Sequence, residues 1–326
     1  FIKDFIDPPS SVEWEWVVGT MMYLNDVLNL GVKVSRKWPW TRHQSRLFSS
    51  VVPGWQVCIG LEVHVQLTSS TKLFSGAPAL GSGAGGAAPN AAVAAFDAAL
   101  PGTLPRANAV AVRRAIALGL ALQSKINPVS IFERKHYFYC DLPHGFQITQ
   151  HRHPIASGGT LKVMAPHLDS CKQSDGILSL DVTRIQLEID SGKTDHDMHP
   201  TQSLVDLNRA GVALLEVVFE PGLSSGEEAA AAVRELQRLV RVLGVSEANL
   251  EEGHVRADLN VSVRREGRPG LGERAEVKNV NSLRALARAA DHEARRQVAI
   301  LEAGGTVERE TRGFNAVDGT TFRLRG

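Results

Sequence analysis

Residues 56–67 read QVCIGLEVHVQL. Laid out with the period of two that a strand imposes on its side chains, Val57, Ile59, Leu61, Val63, Val65 and Leu67 share one face, and Glu62, His64 and Gln66 share the other. That alternation belongs to a strand buried on one side only. One-sided burial is the habit of antiparallel sheets, whereas parallel strands covered on both faces read as unbroken apolar runs. A carboxylate and an imidazole two residues apart on such a strand need water, a proton partner or a metal ion.

The same alternation recurs. TRIQLEID (183–190) sets Ile185, Leu187 and Ile189 against Arg184, Gln186, Glu188 and Asp190. GVALLEVVFE (211–220) sets Ala213, Leu215, Val217 and Phe219 against a face with Glu216 and Glu220. HVRADLNVSVR (254–264) is the cleanest, with Val255, Ala257, Leu259, Val261 and Val263 opposing Arg256, Asp258, Asn260, Ser262 and Arg264, and RAEVKNV (274–280) adds Glu276 and Lys278. Two helices complete the pattern. One is announced by Ser225 and Glu228 in capping-box spacing, carries the stripe Val233, Leu236, Leu239, Val240 and Leu243, and stops at Gly244. The other starts near Ser282, keeps Leu283, Leu286, Ala290, Ala294, Val298 and Leu301 on one side, and ends at Gly304-Gly305. Its opposite side, Arg284, Arg288, Asp291, Glu293, Arg295 and Arg296, reads as a solvated face. The expected fold class is therefore α+β, a mostly antiparallel sheet with helices packed on its apolar face.

Composition excludes more than it identifies. The 326 residues are 43% hydrophobic and 22% charged, ample for a core, and a net charge of +1 sets up no overall field toward nucleic acid or membrane. Cys58, Cys140 and Cys171 are odd in number and form no CxxC pair, which fits a reducing compartment and argues against a disulfide scaffold or a cysteine zinc site. The apolar run WVVGTMMYL (16–24) is too short to span a bilayer, so no membrane segment is expected. Residues 1–52 lack clean periodicity and read as a leader, transit-like or disordered. Within them GVKVSRKWPWTRHQSRLFSS (31–50) is basic, serine-containing and acid-free, as in an organelle transit segment, while Asp4, Asp7, Glu13 and Glu15 upstream weigh against it. Residues 76–95, rich in Gly, Ala and Pro, read as a flexible surface loop without the lysine and hydroxyl of a phosphate loop.

The polar face gathers carboxylates, a histidine, an asparagine and cations from several strands. Carboxylates brought together repel one another unless a cation sits among them. The pattern leaves three accounts open: a salt-bridged surface, a hard divalent ion shared with nucleotide phosphates, or zinc or another metal.

Six segments in order, GLEVHVQL (60–67), ERKHYFYCDLPHGFQITQ (133–150), RIQLEIDSGK (184–193), SLVDLNRAGVALLEVVFEP (203–221), LEEGHVRADLNVSV (250–263) and EVKNVNSLRALARA (276–289), resemble the B-subunit family of the glutamyl-tRNA(Gln)/aspartyl-tRNA(Asn) amidotransferases. The likeness runs from about Trp55 to the C-terminus, and LFSGAP (73–78) and FDAALPGTLP (96–105) resemble its mitochondrial form. It implies a catalytic cradle like that of glutamine synthetase over 53–326, incomplete at its C-terminus, with the family's helical and tail domains beyond Gly326. It also implies ATP and Mg2+ (or Mn2+) as cofactors, Glu-tRNA(Gln) as substrate, the mitochondrial matrix as location and, for partners, the amidase A subunit with the small C subunit. The implied reaction is phosphorylation of the glutamate side-chain carboxylate of the misacylated tRNA, then displacement of phosphate by ammonia to give Gln-tRNA(Gln).

By the same resemblance Glu62 and His64, with Glu188 and Glu252, are the metal ligands, and the three glutamates are catalytic. Lys193, Arg209, Arg256 and Lys278 are the candidates for ATP phosphate contact, and Asp258 and Asn260 are ligands or groups that orient them. Arg134, Lys135 and Tyr137 are candidates for holding the tRNA acceptor end by charge and stacking, against the rival reading of a packed aromatic hairpin. His136 and His144 read as surface histidines. Two departures from the family bear on this set. Phe74-Ser75-Gly76 and the alanine-rich loop stand where many bacterial members place zinc-binding cysteines, so no zinc is expected, and Ile189 replaces a frequent second glutamate. Two other functions compete: a catalytically silent scaffold for amidase and tRNA, and a free-standing carboxylate-amine ligase of glutamine-synthetase type.

Overall fold

The computed structural model describes residues 52–80, 87–168, 176–199, 201–280 and 282–325. The leader expectation for 1–52 thus lies almost wholly outside the described residues, as does 81–86 of the Gly/Ala-rich stretch. In chain order the strands are β1 (Trp55–Gln66), β2 (Lys125–Ile126), β3 (Glu133–His136), β4 (Phe146–Thr149), β5 (Ala156–Ser157), β6 (Thr160–Met164), β7 (Ile177–Ile189), β8 (Lys193–Asp195), β9 (Leu204–Asp206), β10 (Ala213–Phe219), β11 (Val255–Arg265), β12 (Arg274–Val280), β13 (Thr311–Asn315) and β14 (Thr320–Arg325). The helices are α1 (Ala109–Ala121), α2 (Gly226–Val242) and α3 (Leu283–Glu302).

Among the described residues ten strands form one sheet, in the order β14-β13-β12-β11-β1-β10-β7-β5-β2 with β6 also on β7. Its centre, β12 to β7, is antiparallel throughout, and only the β12–β13 pairing is parallel. The α+β reading with a mostly antiparallel sheet holds. Odd-numbered residues of β1 and β11 and the facing residues of β7 and β10 are buried together with Ala115 and Leu118 of α1, Val233 and Leu236 of α2, and Leu286 and Ala290 of α3. Alanines in all three helices let them lie close to the sheet, and α2 and α3 pack on each other. At Gly226, which opens α2, even a methyl group would collide with the backbone of Ala287 in α3.

Both expected helices start and stop where their caps said. The Ser225 hydroxyl accepts from Glu228 N at 3.2 Å, and the Glu228 carboxylate returns the bond one residue further out, accepting from Ser224 N and Oγ. The Ser282 hydroxyl accepts from Ala285 N at 3.1 Å to open α3. Helix α1 was not expected. Its Asn108 cap accepts from Val110 N and Ala111 N, but an almost wholly Ala/Val/Leu sequence gives it little periodicity to read.

Three local readings need correction. The charged side of α3 is not simply solvated: Glu293 is completely buried, bonded to Arg296, Gln297 and Thr321 and paired with Arg312 at 3.2 Å. The described flanks of the Gly/Ala-rich stretch are anchored rather than loose, because the Asn208 side chain accepts from Ala92 N at 2.8 Å and donates to Ala88 O at 2.9 Å. His144 is no free surface histidine, since its ring packs 4.7 Å from Phe96 and 5.3 Å from Phe146. No described helix is long and apolar enough to cross a membrane.

Candidate metal centre on the polar sheet face

Register decides what the polar side chains can reach. His64 on β1 lies opposite Glu216 on β10 and Arg256 on β11, and Glu62 lies opposite Asp258. Glu216 in turn lies opposite Gln186 on β7, with Glu188 two residues along on the same face. His64 Nε2 therefore sits 3.6 Å from Glu188 Oε2 and 3.8 Å from Glu216 Oε1, and one donor atom from each of the three lies within 4.8 Å of the others. Glu62 borders this trio and accepts from Asn260 Nδ2 at 2.9 Å.

Buried neighbours hold the carboxylates still. Glu188 Oε1 accepts from Thr149 Oγ1 at 2.5 Å and Gln186 Nε2 at 3.0 Å, while Oε2 accepts from Gln147 Nε2 at 3.3 Å. Gln186 also donates to Glu216, bridging the two acids. Burial alone would lower the His64 pKa, but Glu188, Glu216 and Asp258 outweigh it and raise it to about 9. Burial and the charge of Glu188 push Glu216 up, to about 8. Burial acts the same way on Glu188, yet His64 and the Thr149 hydroxyl hold it below the usual carboxylate range.

A pH dependence follows. Glu216 and His64 both have folded pKa values above their ordinary ones, so each contributes stability that is full below the ordinary value and is lost as pH rises through about 8 and about 9. Glu188, depressed, acts oppositely, and its contribution is lost only in strong acid. In EDTA the melting temperature is expected to fall between pH 6 and pH 9, and Glu216→Gln should flatten that fall. Differential scanning calorimetry of both proteins checks it.

The other candidates divide. Arg256 bonds across to Asp190 at 3.1 Å, and Lys278 lies 3.1 Å from Glu276 and 3.8 Å from Asp258, so both flank the cluster with positive charge. Arg209 donates to Ser191 O and Gly192 O and pairs with Asp190, which commits its guanidinium to the turn after β7. Lys193 is exposed at the start of β8. Strands β3 and β4 form a hairpin, with the Arg134 guanidinium 4.7 Å over the Phe146 ring and Phe138 in the connection exposed. Arg134 and Lys135 are exposed on it, and Tyr137 Oη donates to Gln147, which holds Glu188.

Glu252 is a correction. It precedes β11, where the chain has left the sheet, and its carboxylate pairs with His254 Nε2 at 3.5 Å in a group with Glu247, apart from the His64 trio. Glu216 takes the third place. Its position on the polar side of 211–220 was legible, but its nearness to His64 depends on strand order.

The family described as the GatB/GatE catalytic domain matches residues 57–326 of this chain. The chain belongs to that family. Its relatives include the B subunit of the aspartyl/glutamyl-tRNA(Asn/Gln) amidotransferase of Mesorhizobium japonicum, 49% identical over 87% of this chain and 56% of the relative. Another is the mitochondrial B subunit of the glutamyl-tRNA(Gln) amidotransferase of Phytophthora infestans, 47% identical over 83% of this chain and 57% of the relative. The chain thus spans little more than half the length of these relatives. Within this GatB/GatE catalytic domain, the donor set of His64, Glu188 and Glu216, bordered by Glu62, fits a hard divalent ion, whose charge would offset the burial and repulsion that push Glu216 up.

Proposed function

We propose that this chain is the catalytic part of a B subunit of glutamyl-tRNA(Gln) amidotransferase, working with the amidase A subunit in a trimer completed by the small C subunit. The observation that carries this reading is the meeting of His64, Glu188 and Glu216 from three neighbouring strands, flanked by Glu62 and Asp258. A carboxylate is a poor acyl donor because its leaving group would be oxide. In the reaction proposed, a side-chain oxygen of the tRNA-bound glutamate forms a bond to the γ-phosphorus of ATP while the bond to ADP breaks. The nitrogen of ammonia then attacks the acyl carbon, phosphate departs with the C–O electron pair, and the nitrogen loses a proton.

The residues suit those demands. Glu62, His64, Glu188 and Glu216 would hold Mg2+ or Mn2+, with Asn260, Gln186 and Thr149 fixing the carboxylates. When bound, such an ion neutralises charge on the transferring phosphoryl oxygens. His64 must give up its extra proton to ligate. Arg256 and Lys278, flanking the cluster, would meet phosphate oxygens, with Lys193 as a further candidate. Arg134, Lys135 and Tyr137, on the hairpin that reaches Glu188 through Gln147, offer charge and a ring to the acceptor end of tRNA. The likeness to the Phytophthora infestans protein and the basic stretch 31–50 support the mitochondrial matrix as its location.

The test is ATP hydrolysis by the complete reconstituted trimer. Phosphate release that requires Glu-tRNA(Gln) and is absent with uncharged tRNA is the expected result. Release indifferent to charging, or dependent on free glutamate alone, would turn the reading toward a free-standing ligase.

A further inference from the structure

We propose that the connection between α2 and β11 carries a second divalent-cation site, made by Glu247, Glu252 and His254 and suited to a borderline ion such as Zn2+. One donor atom from each of the three lies within 4.8 Å of the others. His254 Nε2 is 3.5 Å from Glu252 Oε2 and Nδ1 is 3.8 Å from Glu247 Oε2, attractive separations too long for good hydrogen bonds.

A separate observation points to a ligand. His254 is only 7% exposed, yet its buried Nδ1 has no hydrogen-bond partner. Buried polar atoms nearly always find a protein or water partner, so an orphan facing a carboxylate marks a place for an ion or water. The carboxylate-bearing side chains of Glu247 and Glu252 are 68% and 48% exposed, which leaves one side open for entry and for water ligands. One imidazole with two carboxylates and an open position is a donor set that zinc accepts.

The connection is also braced from behind. Gln237 donates to Ala248 O at 2.6 Å, Arg241 donates to Glu247 O at 2.7 Å and Ala248 O at 2.9 Å, and Asn249 Nδ2 donates to Glu252 at 3.1 Å. Gln66 N, at the end of β1, donates to His254 O at 2.8 Å. An ion here would fasten the connection at the ends of the two strands that present His64, Arg256 and Asp258. It would act as a structural clamp beside the catalytic face and stands apart from the proposed reaction.

Calorimetric titration of Zn2+ into the full chain, with Mg2+ in excess, tests the proposal alongside His254→Ser, Glu247→Gln and His64→Asn. The expected result is a Zn2+ event that persists in His64→Asn, weakens by ~100-fold or more in His254→Ser, and weakens by about 10-fold in Glu247→Gln. Zn2+ should raise the melting temperature of the unaltered chain and of His64→Asn, and raise it least in His254→Ser. Glu247 is exposed, so Glu247→Gln folds and decides the matter if His254→Ser does not. Unchanged Zn2+ affinity in Glu247→Gln and in any folded His254→Ser, or a Zn2+ event abolished by His64→Asn, would overturn it.

Discussion

Asp97→Ala is expected to lower the unfolding free energy by about 3–5 kcal/mol, because it strands a buried lysine. Lys72 is 0% exposed; its Nζ lies 3.1 Å from Asp97 Oδ2 and donates to Leu207 O at 3.2 Å. Burial pulls the Lys72 pKa down and Asp97 pushes back, so the carboxylate is what keeps a charged lysine tolerable there. The same Asp97 oxygen accepts from Ser75 Oγ and Ala94 N, each at 3.0 Å. Gly211 makes room for it: its positive φ of 86° and a would-be Cβ pressing on Asp97 Oδ1 both require glycine. The pair thus ties the segment between β1 and α1 to the turn that leads into β10, the strand carrying Glu216. Urea unfolding should show a lower midpoint at unchanged slope. A loss under about 1 kcal/mol would mean that water reaches the ammonium and the pair is not buried in effect. Lys72→Met with Asp97→Leu should recover most of the loss, since an apolar pair of similar volume carries no desolvation penalty.

The second large effect concerns chemistry. On the proposed function, Glu188→Ala in the complete enzyme with its partners is expected to reduce Glu-tRNA(Gln)-dependent phosphate release by ~10³-fold or more, as loss of a group that fixes transition-state charge does, while glutaminase chemistry in the amidase partner continues. The cause is local: Glu188 is the carboxylate on which Thr149, Gln186, Gln147 and His64 converge. Removing it leaves His64 with Glu216 alone and takes from Thr149, Gln186 and Gln147 the carboxylate they share. Circular dichroism separates this from unfolding, and phosphate release within a few-fold of the unaltered enzyme would remove Glu188 from the mechanism.

Much of this was legible in the residues because strand side chains alternate. The alternation in 56–67, 183–190 and 254–264 assigned each polar side chain to a face, and the sheet then brought those faces together. Strand order was not legible, and it decided the site. Placing β10 between β1 and β7 brings Glu216 opposite His64, while the chain bends away before β11 and takes Glu252 with it. Ile189 belongs to the apolar core, and the second carboxylate beside His64 comes from Glu216 on the neighbouring strand. The buried Glu293 eluded pattern reading for a similar reason: its partner Arg312 comes from β13, which no helical periodicity could announce.

On the proposed function His64, Glu188 and Glu216 share one hard ion. The most direct measurement is an anomalous difference map from crystals of this chain soaked in Mn2+. A peak ligated by His64 Nε2 and the carboxylates of Glu188 and Glu216, and missing in Glu188→Ala crystals, is expected. Manganese found elsewhere only, with His64 still paired to Glu188 through a retained proton, would contradict it.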